Sequence, residues 1–295
     1  MVGLGLIGGS VAKALRAADF SGTVWGVVAD KEEARRIRKA AGKWQIKLSH
    51  VLAPALQDAD LVILATPPQV LMAQLPEVAR LVSPTAVVSD VASVKAPVAQ
   101  LGAQLLGDRF VAAHPLVGGE KTGFSAARKR LYQGARVVLT PSPDQAGGSL
   151  EVMRTFWQML GATIVQMTPE AHDYALAATS HVPHLLAFAY MAGLEGQADA
   201  LQQLAGGGLR DFSRIAASDP RLWADILWEN RAAVRQHLST VQRTLGAAER
   251  MLAGNDAQAL SDLLGRGLRP RAFPLARGPH QPGPGHQLHA PVQRL

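Results

Sequence analysis

The chain contains no cysteine. That removes disulfides, thiolate metal sites and a sulfur nucleophile, and leaves chemistry to His, Ser, Arg and the carboxylates. Lysine is missing from everything after Lys129, so the second half cannot supply a catalytic amine. Aromatic residues are only 5% of the 295, and none interleave with basic residues in the stripes that stack nucleic-acid bases. No run approaches the roughly 20 uncharged apolar residues that cross a bilayer. The opening MVGLGLIGGS is a loop motif and not the basic stretch and apolar core of a signal peptide. These absences point to a cytoplasmic globular protein with no membrane and no nucleic-acid partner. The net charge of +7 does not contradict this: Arg266, Arg269, Arg271, Arg277 and Arg294 lie in a stretch without acidic residues, and the rest of the chain carries +2.

What is present is a regular alternation. Over residues 1–168 the short apolar runs TVWGVV, DLVILAT, TAVVSDV, FVAAHP, ARVVLT and ATIVQM are separated by segments of helical period such as EEARRIRKAAG. Runs this short and rich in Val, Ile and Ala suit a parallel sheet buried on both faces. The fold expected is α/β, a doubly wound Rossmann-type parallel sheet. From 169 to about 265 the strand-like runs stop and the pattern turns helical, giving an all-helical second domain. The remaining 266–295 hold six of the 18 prolines and three histidines, His280, His286 and His289. Without apolar periodicity such a segment cannot offset the entropy of ordering, so a disordered tail is expected.

Gly3, Gly5 and Gly8 form G-x-G-x-x-G directly before the helical VAKALRAA. The spacing allows a tight turn, close approach of a pyrophosphate to the backbone, and tight helix–sheet packing, with the helix N-terminus facing the phosphates. A dinucleotide site is therefore placed on Gly3, Gly5, Leu6, Ile7 and Gly8, with Thr66 closing the DLVILAT run. Only Met1 and Val2 precede the motif, so the strand that should feed it is nearly missing, and a chain start upstream of Met1 is expected. In NAD-binding folds an acidic residue ends the second strand and grips the ribose 2′-hydroxyl. Here Val28 stands near that point with Asp30 two residues on, while Arg35, Arg36 and Arg38 could meet a 2′-phosphate or simply form a solvated face. The cofactor is assigned as NAD or NADP.

Two further segments, SDVASVK with Ser93 and AAHPLVGGE with His114, follow apolar runs, which puts both residues at carboxyl ends of strands, where open sheets bind ligands. In ATSHVPHLLAFAY, Pro183 cannot continue a helical ladder and marks a helix start or kink. His181 and His184 stand three apart and could chelate, but no third ligand is near, so no metal is assigned. Taken in order, VGLGLIGGS, DVASVK, AHPLVGGE, TSHVPH and GGGLRDFSR resemble the prephenate/arogenate (cyclohexadienyl) dehydrogenase family of tyrosine biosynthesis over about residues 2–260.

The resemblance implies oxidative decarboxylation of a cyclohexadienol. His114 takes the place of the family base for the ring hydroxyl proton, and Ser93 that of the serine bonding the same hydroxyl. Arg214 matches the arginine on the ring carboxylate and Arg210 a second cation at the mouth. Ser180 and His184 line the pocket, and His181 is a structural histidine bonded within the helix pair. It further implies a homodimer through the helical domain, with Trp223 reaching toward the partner's pocket. Two other readings are a β-hydroxyacid dehydrogenase, which would need a catalytic lysine in the helical domain, and a non-catalytic dinucleotide sensor.

Overall fold

The computed structural model describes residues 1–119, 121–142, 145, 147–196 and 204–268. The 269–295 part of the proline- and arginine-rich tail, with its three histidines, lies outside the described residues. The sheet strands are β1 (Val24–Val27), β2 (Ile46–Ser49), β3 (Leu61–Leu64), β4 (Val87–Asp90), β5 (Phe110–Pro115), β6 (Arg136–Thr140) and β7 (Thr163–Gln166). β1 and β2 form one parallel ladder, and β3 to β7 form a second in sequence order. Residues 1–3 stitch the two together. Val2 bridges Val27 on one side and Leu64 on the other, and the Met1 ammonium donates to the Trp25 carbonyl at 2.9 Å. Val2 thus lies between β1 and β3, and with it the sheet takes the doubly wound order with the segment ahead of the glycine motif central.

Both faces of this sheet are covered. In β3, Ile63 belongs to one apolar cluster, while Val62 and Leu64 belong to the other. In β5, Val111 and Ala113 face the first cluster, Phe110 and Ala112 the second. Alternate residues entering two separate cores is what a period of two produces when helices pack on each side. Helices α1 (Leu6–Ala17), α2 (Lys31–Gly42), α3 (Ala53–Leu56), α4 (Pro68–Leu81), α5 (Ala96–Leu106) and α6 (Gly147–Met159) supply that cover.

Two features differ from the expected parallel sheet. β6 runs antiparallel to β5. A parallel return needs a crossover of a dozen or more residues, usually helical, and among the described residues the connection carries only a 3₁₀ turn at Phe124–Ala126. β2 has no counterpart among the apolar runs, because IKLS pairs on one side only and buries only Ile46 fully.

The helical part opens at Thr168, whose hydroxyl accepts the Ala171 amide and caps α7 (Pro169–Leu176). A π-helical turn at Ala177–His181 joins α7 to α8 (Val182–Gly193). Pro183 in the first turn of α8 has no amide for the ladder, and a single π turn absorbs the defect. Then come α9 (Gly207–Ala216), α10 (Pro220–Glu229), α11 (Arg231–Ala253) and α12 (Ala257–Leu268). By packing the chain divides into one unit of Met1–Thr244 and another from Leu245. In the second unit Leu245, Leu252 and Leu264 are exposed, and Asp256 caps α12 through the Ala259 amide.

Asp90 and Lys95, both fully buried, hold the loop between β4 and α5. The Lys95 ammonium donates to Asp90 and to the Ala113 carbonyl, and Asp90 also accepts the amides of Ala92 and Ala113. Replacing Asp90 with alanine strands the ammonium in the interior. The expected loss is about 3–5 kcal/mol, the usual cost of removing one partner of a buried pair, and urea unfolding measures it.

Candidate active site

The glycine motif forms a cradle. Gly3 has φ +91°, and a Cβ there would lie 2.6 Å from the Ala65 carbonyl oxygen. A Cβ on Gly8 would meet the Gly3 oxygen at 2.1 Å. Both positions therefore require glycine. Gly5 is different: a Cβ there would meet no protein atom within 4 Å, and Gly5 is the N-cap of α1 without any side-chain cap. The orphan amides of Leu6 and Ile7 at this uncapped helix start, with open space above Gly5, suit a pyrophosphate. Thr66, whose amide lies beside Gly3, follows β3 and bonds Gln74 at 3.2 Å. Ala65 and Thr66 thus border the same turn.

Asp30 is exposed and is the N-cap of α2: its Oδ1 accepts the Glu33 amide at 2.8 Å, and Glu33 returns a bond to the Ala29 amide at 3.2 Å. The cap engages one oxygen of Asp30, the acidic residue two positions beyond the point where a ribose 2′-hydroxyl is gripped. Val28 is buried, and Arg35, Arg36 and Arg38 are all exposed, Arg36 loosely paired with Glu33 at 3.8 Å.

Ser93 lies on the β4–α5 loop, partly exposed, and His114 lies near the end of the adjacent β5, buried. Lys95 ties these two segments together through its bond to the Ala113 carbonyl. The His114 ring is held from the helical side: its Nδ1 is 2.9 Å from Nε2 of His172, and His172 Nδ1 is 2.7 Å from Asp173 Oδ1. Asp173 accepts the Lys95 amide at 2.7 Å and the Ala96 amide at 2.8 Å, so one carboxylate of α7 anchors the segment that follows Ser93.

The thread continues. Asn230, buried between α10 and α11, donates to the Asp173 carbonyl at 2.7 Å and to Nδ1 of His181 at 3.0 Å. His184 Nδ1 bonds the Ser180 carbonyl at 2.8 Å, and its ring stacks on Trp223 with centroids 3.6 Å apart and planes at 16°. Trp223 thus packs against His184 of its own chain. Arg214 on α9 is exposed, 3.8 Å from Asp211, and close enough for its charge to act on His184. Arg210 is exposed on the same helix. The structure thus joins His114 to His172, Asp173, Asn230, His181, Trp223 and His184 by direct contacts, and Arg214 stands at the end of that series. Ser93 and Arg210 make no side-chain hydrogen bond to it.

Burial, reinforced by the charges of His172, Lys95 and His181, holds the His114 imidazole well below its ordinary 6.5. Burial likewise lowers His181 to about 4. Burial also lowers His184, with the Ser180 carbonyl opposing and Arg214 adding to the effect. The imidazoles of His114, His181 and His184 are therefore neutral at physiological pH. Among the described residues no group of three or more His, Asp or Glu side chains could hold a metal ion.

A family profile described as prephenate dehydrogenase, nucleotide-binding domain, matches residues 11–166, and one described as prephenate dehydrogenase, dimerization domain, matches residues 168–266. The chain belongs to the prephenate dehydrogenase family. It is 32% identical over 265 residues to the cyclohexadienyl dehydrogenase of Zymomonas mobilis, covering 88% of this chain and 90% of that one. It is 30% identical over 266 residues to the prephenate dehydrogenase of Bacillus subtilis, covering 88% of this chain and 71% of the relative. Among solved structures, the prephenate dehydrogenase from A. aeolicus in complex with hydroxyphenyl propionate and NAD+ superposes with a TM-score of 0.81 at 32% identity, over 92% of this chain and 96% of that one. The Synechocystis arogenate dehydrogenase superposes with a TM-score of 0.77 at 30% identity, over 92% and 97%. Membership fixes the fold class, an oxidoreductase activity and use of a nicotinamide dinucleotide. Among the described residues no helix is long and apolar enough to cross a membrane.

His172, Asp173 and Asn230 escape the sequence reading. Each sits in a segment of ordinary helical pattern, and the one local signal is a His-Asp pair that a solvated helix face would also show.

Proposed function

We propose that this chain oxidatively decarboxylates prephenate or arogenate with NAD or NADP, giving 4-hydroxyphenylpyruvate or tyrosine. The observation that carries the proposal is His114: a buried imidazole, neutral at physiological pH, at the carboxyl end of a strand in the sheet that bears the glycine cradle. When bound, the nicotinamide supplies the hydride acceptor. The chain's part is to remove the hydroxyl proton, since an alcohol gives up hydride readily only as that proton leaves. His114 is the base, with Ser93 bonding the same oxygen. Arg214 holds the ring carboxylate, for which a planar guanidinium fork is suited. As the ring carbon becomes a carbonyl, the electrons of the C–CO₂ bond enter the dienone and aromatise the ring. Ser180 and His184 border the same pocket, and Arg210 adds a cation at its mouth.

The test is a two-by-two assay of both substrates with both cofactors at 340 nm. Reduced cofactor is expected in at least one cell, and silence in all four, with cofactor binding intact, favours the sensor reading. No lysine follows Lys129 to serve the β-hydroxyacid alternative.

The lowered His114 predicts the pH profile. The base is already unprotonated at pH 6.5, so kcat/KM stays flat through neutrality and its acid limb falls below that value. Stability follows with the same sign. Because His114 and His181 are lowered in the folded state, the unfolded chain binds more protons below about pH 6.5. Stability is full above that pH and is lost on acidification toward about 4, the level of His181. A Tm that is constant from pH 8 to 5 contradicts this.

A homodimer through the helical part belongs to the same proposal. It is supported by the dimerization-domain match and by the exposed ring pair of Tyr190 and Phe212, with Trp228 65% exposed. Sedimentation is expected to give twice the chain mass of 31.2 kDa, and a monomer at micromolar concentration removes the assignment.

A further inference from the structure

The geometry assigns His172 and Asp173 as positioning residues that fix the tautomer of His114, leaving its Nε2 as the bare nitrogen that takes the substrate proton. The inference rests on the reading of His114 as the base and specifies how the fold prepares it.

The series of bonds begins at donors that cannot be reversed. Main-chain amides only donate, and two of them, from Lys95 and Ala96, point at the two oxygens of Asp173 at 2.7 and 2.8 Å. Both carboxylate oxygens are therefore acceptors. His172 Nδ1 lies 2.7 Å from Oδ1, so this nitrogen must carry the hydrogen and donate it. The Asp173 carboxylate thus selects the Nδ1–H tautomer of His172, with the lone pair on Nε2. Facing that lone pair at 2.9 Å is His114 Nδ1, which must in turn donate. With its hydrogen committed to Nδ1, neutral His114 is unprotonated at Nε2, and Nε2 makes no hydrogen bond among the described residues. Each assignment follows from the one before, and the series begins with two amides whose direction is set by the backbone.

The environment excludes competitors for these roles. His172 is fully buried, Asp173 and His114 nearly so, with 6% and 9% of their surfaces exposed, so water has little access to substitute for either bond. Asn230 fixes the neighbouring group in the same way. Its amide can only donate to the Asp173 carbonyl and His181 Nδ1, which puts the His181 hydrogen on Nε2 and keeps it out of the series. Lys95, the remaining cation facing this cluster, is occupied by Asp90 and the Ala113 carbonyl. Asp173 thus orients the base and anchors the start of α5 just beyond Ser93 with one side chain. A misplaced α7 would disturb both groups that contact the substrate hydroxyl.

The experiment uses the full chain labelled with ¹⁵N-histidine, and the His172→Phe and His172→Gln variants. Long-range ¹H–¹⁵N correlation at pH 8 is expected to show His114 protonated at Nδ1 and unprotonated at Nε2. His172→Phe fills the space but offers no acceptor, so the Nε2 signal moves toward the protonated position. In that variant kcat falls roughly 10–100-fold, the size seen when the outer partner of a working histidine is removed. KM, and the Kd for NAD+ or NADP+ by fluorescence titration, change less than about twofold, which also shows that the variant is folded. His172→Gln restores an amide oxygen for the Nδ1 hydrogen and recovers part of kcat. A wild-type His114 protonated at Nε2, or a His172→Phe variant with kcat within about twofold of wild type, overturns the inference. The ¹⁵N signals do not depend on turnover, so absence of activity on prephenate and arogenate with the tautomer as stated refutes the substrate reading alone.

Discussion

Replacing His114 with alanine is expected to lower kcat by ~10²–10⁴, the usual contribution of a positioned base, while cofactor affinity stays unchanged. The imidazole is buried, holds no proton at neutral pH, and stands away from the glycine cradle in sequence and in role. Its loss removes the acceptor for the hydroxyl proton without touching Gly3, Gly5 or Gly8. It also leaves His172 Nε2 without its donor, at about 1–3 kcal/mol for an orphaned buried polar atom. The Tm therefore drops as well, and kcat must be compared at a temperature where both proteins are folded. His114→Asn separates the two effects. Its amide can still donate to His172, so stability is recovered, but it cannot accept a proton, so turnover is not. Near-normal kcat in either variant takes His114 out of the reaction.

That His114 could be singled out from sequence while its support could not has a physical reason. The end of a buried apolar run is a local signal, and FVAAHP places its histidine at a strand's carboxyl end without reference to the rest of the chain. The glycine cradle is local in the same sense: three glycines within six residues prescribe the turn, and Gly3 and Gly8 are indeed the positions where a Cβ would collide with backbone. The groups that hold His114 are remote. His172 is 58 residues away, and Asp173 is 78 residues from the Lys95 amide it accepts. Nothing in PEAHDYAL marks it as more than an amphipathic helix with a capping threonine. The antiparallel turn of β6 was illegible for a related reason, since ARVVLT reads alike in either direction and the deciding feature is the lack of a crossover helix. The π turn at Ala177–His181 was half legible: Pro183 announces a defect, but whether the chain ends, kinks or bulges there depends on what packs around it.

Arg214→Ala is expected to raise KM for the ring-carboxylate substrate roughly 10–100-fold, with little change in Tm. A charge-assisted bond contributes about 1.5–3 kcal/mol, and each 1.4 kcal/mol is about a factor of ten. The present partner of Arg214 is Asp211, at 3.8 Å and one helical turn away, with the two side chains 61% and 75% exposed. A pair so open to water contributes close to nothing to folding, which is why the stability is predicted to hold. It also means that the guanidinium can turn to a carboxylate ligand at little cost, whereas a buried, fully bonded arginine could not. Arg214→Lys keeps the charge and loses the planar fork, so its KM should fall between wild type and alanine. His184 gives an independent reading, because Arg214 adds to the lowering of its pKa. Removing the guanidinium should move the His184 titration upward by NMR, toward the ordinary value. If KM is unchanged and His184 does not move, Arg214 and Asp211 are a surface pair, and the ring carboxylate must be held by another cation.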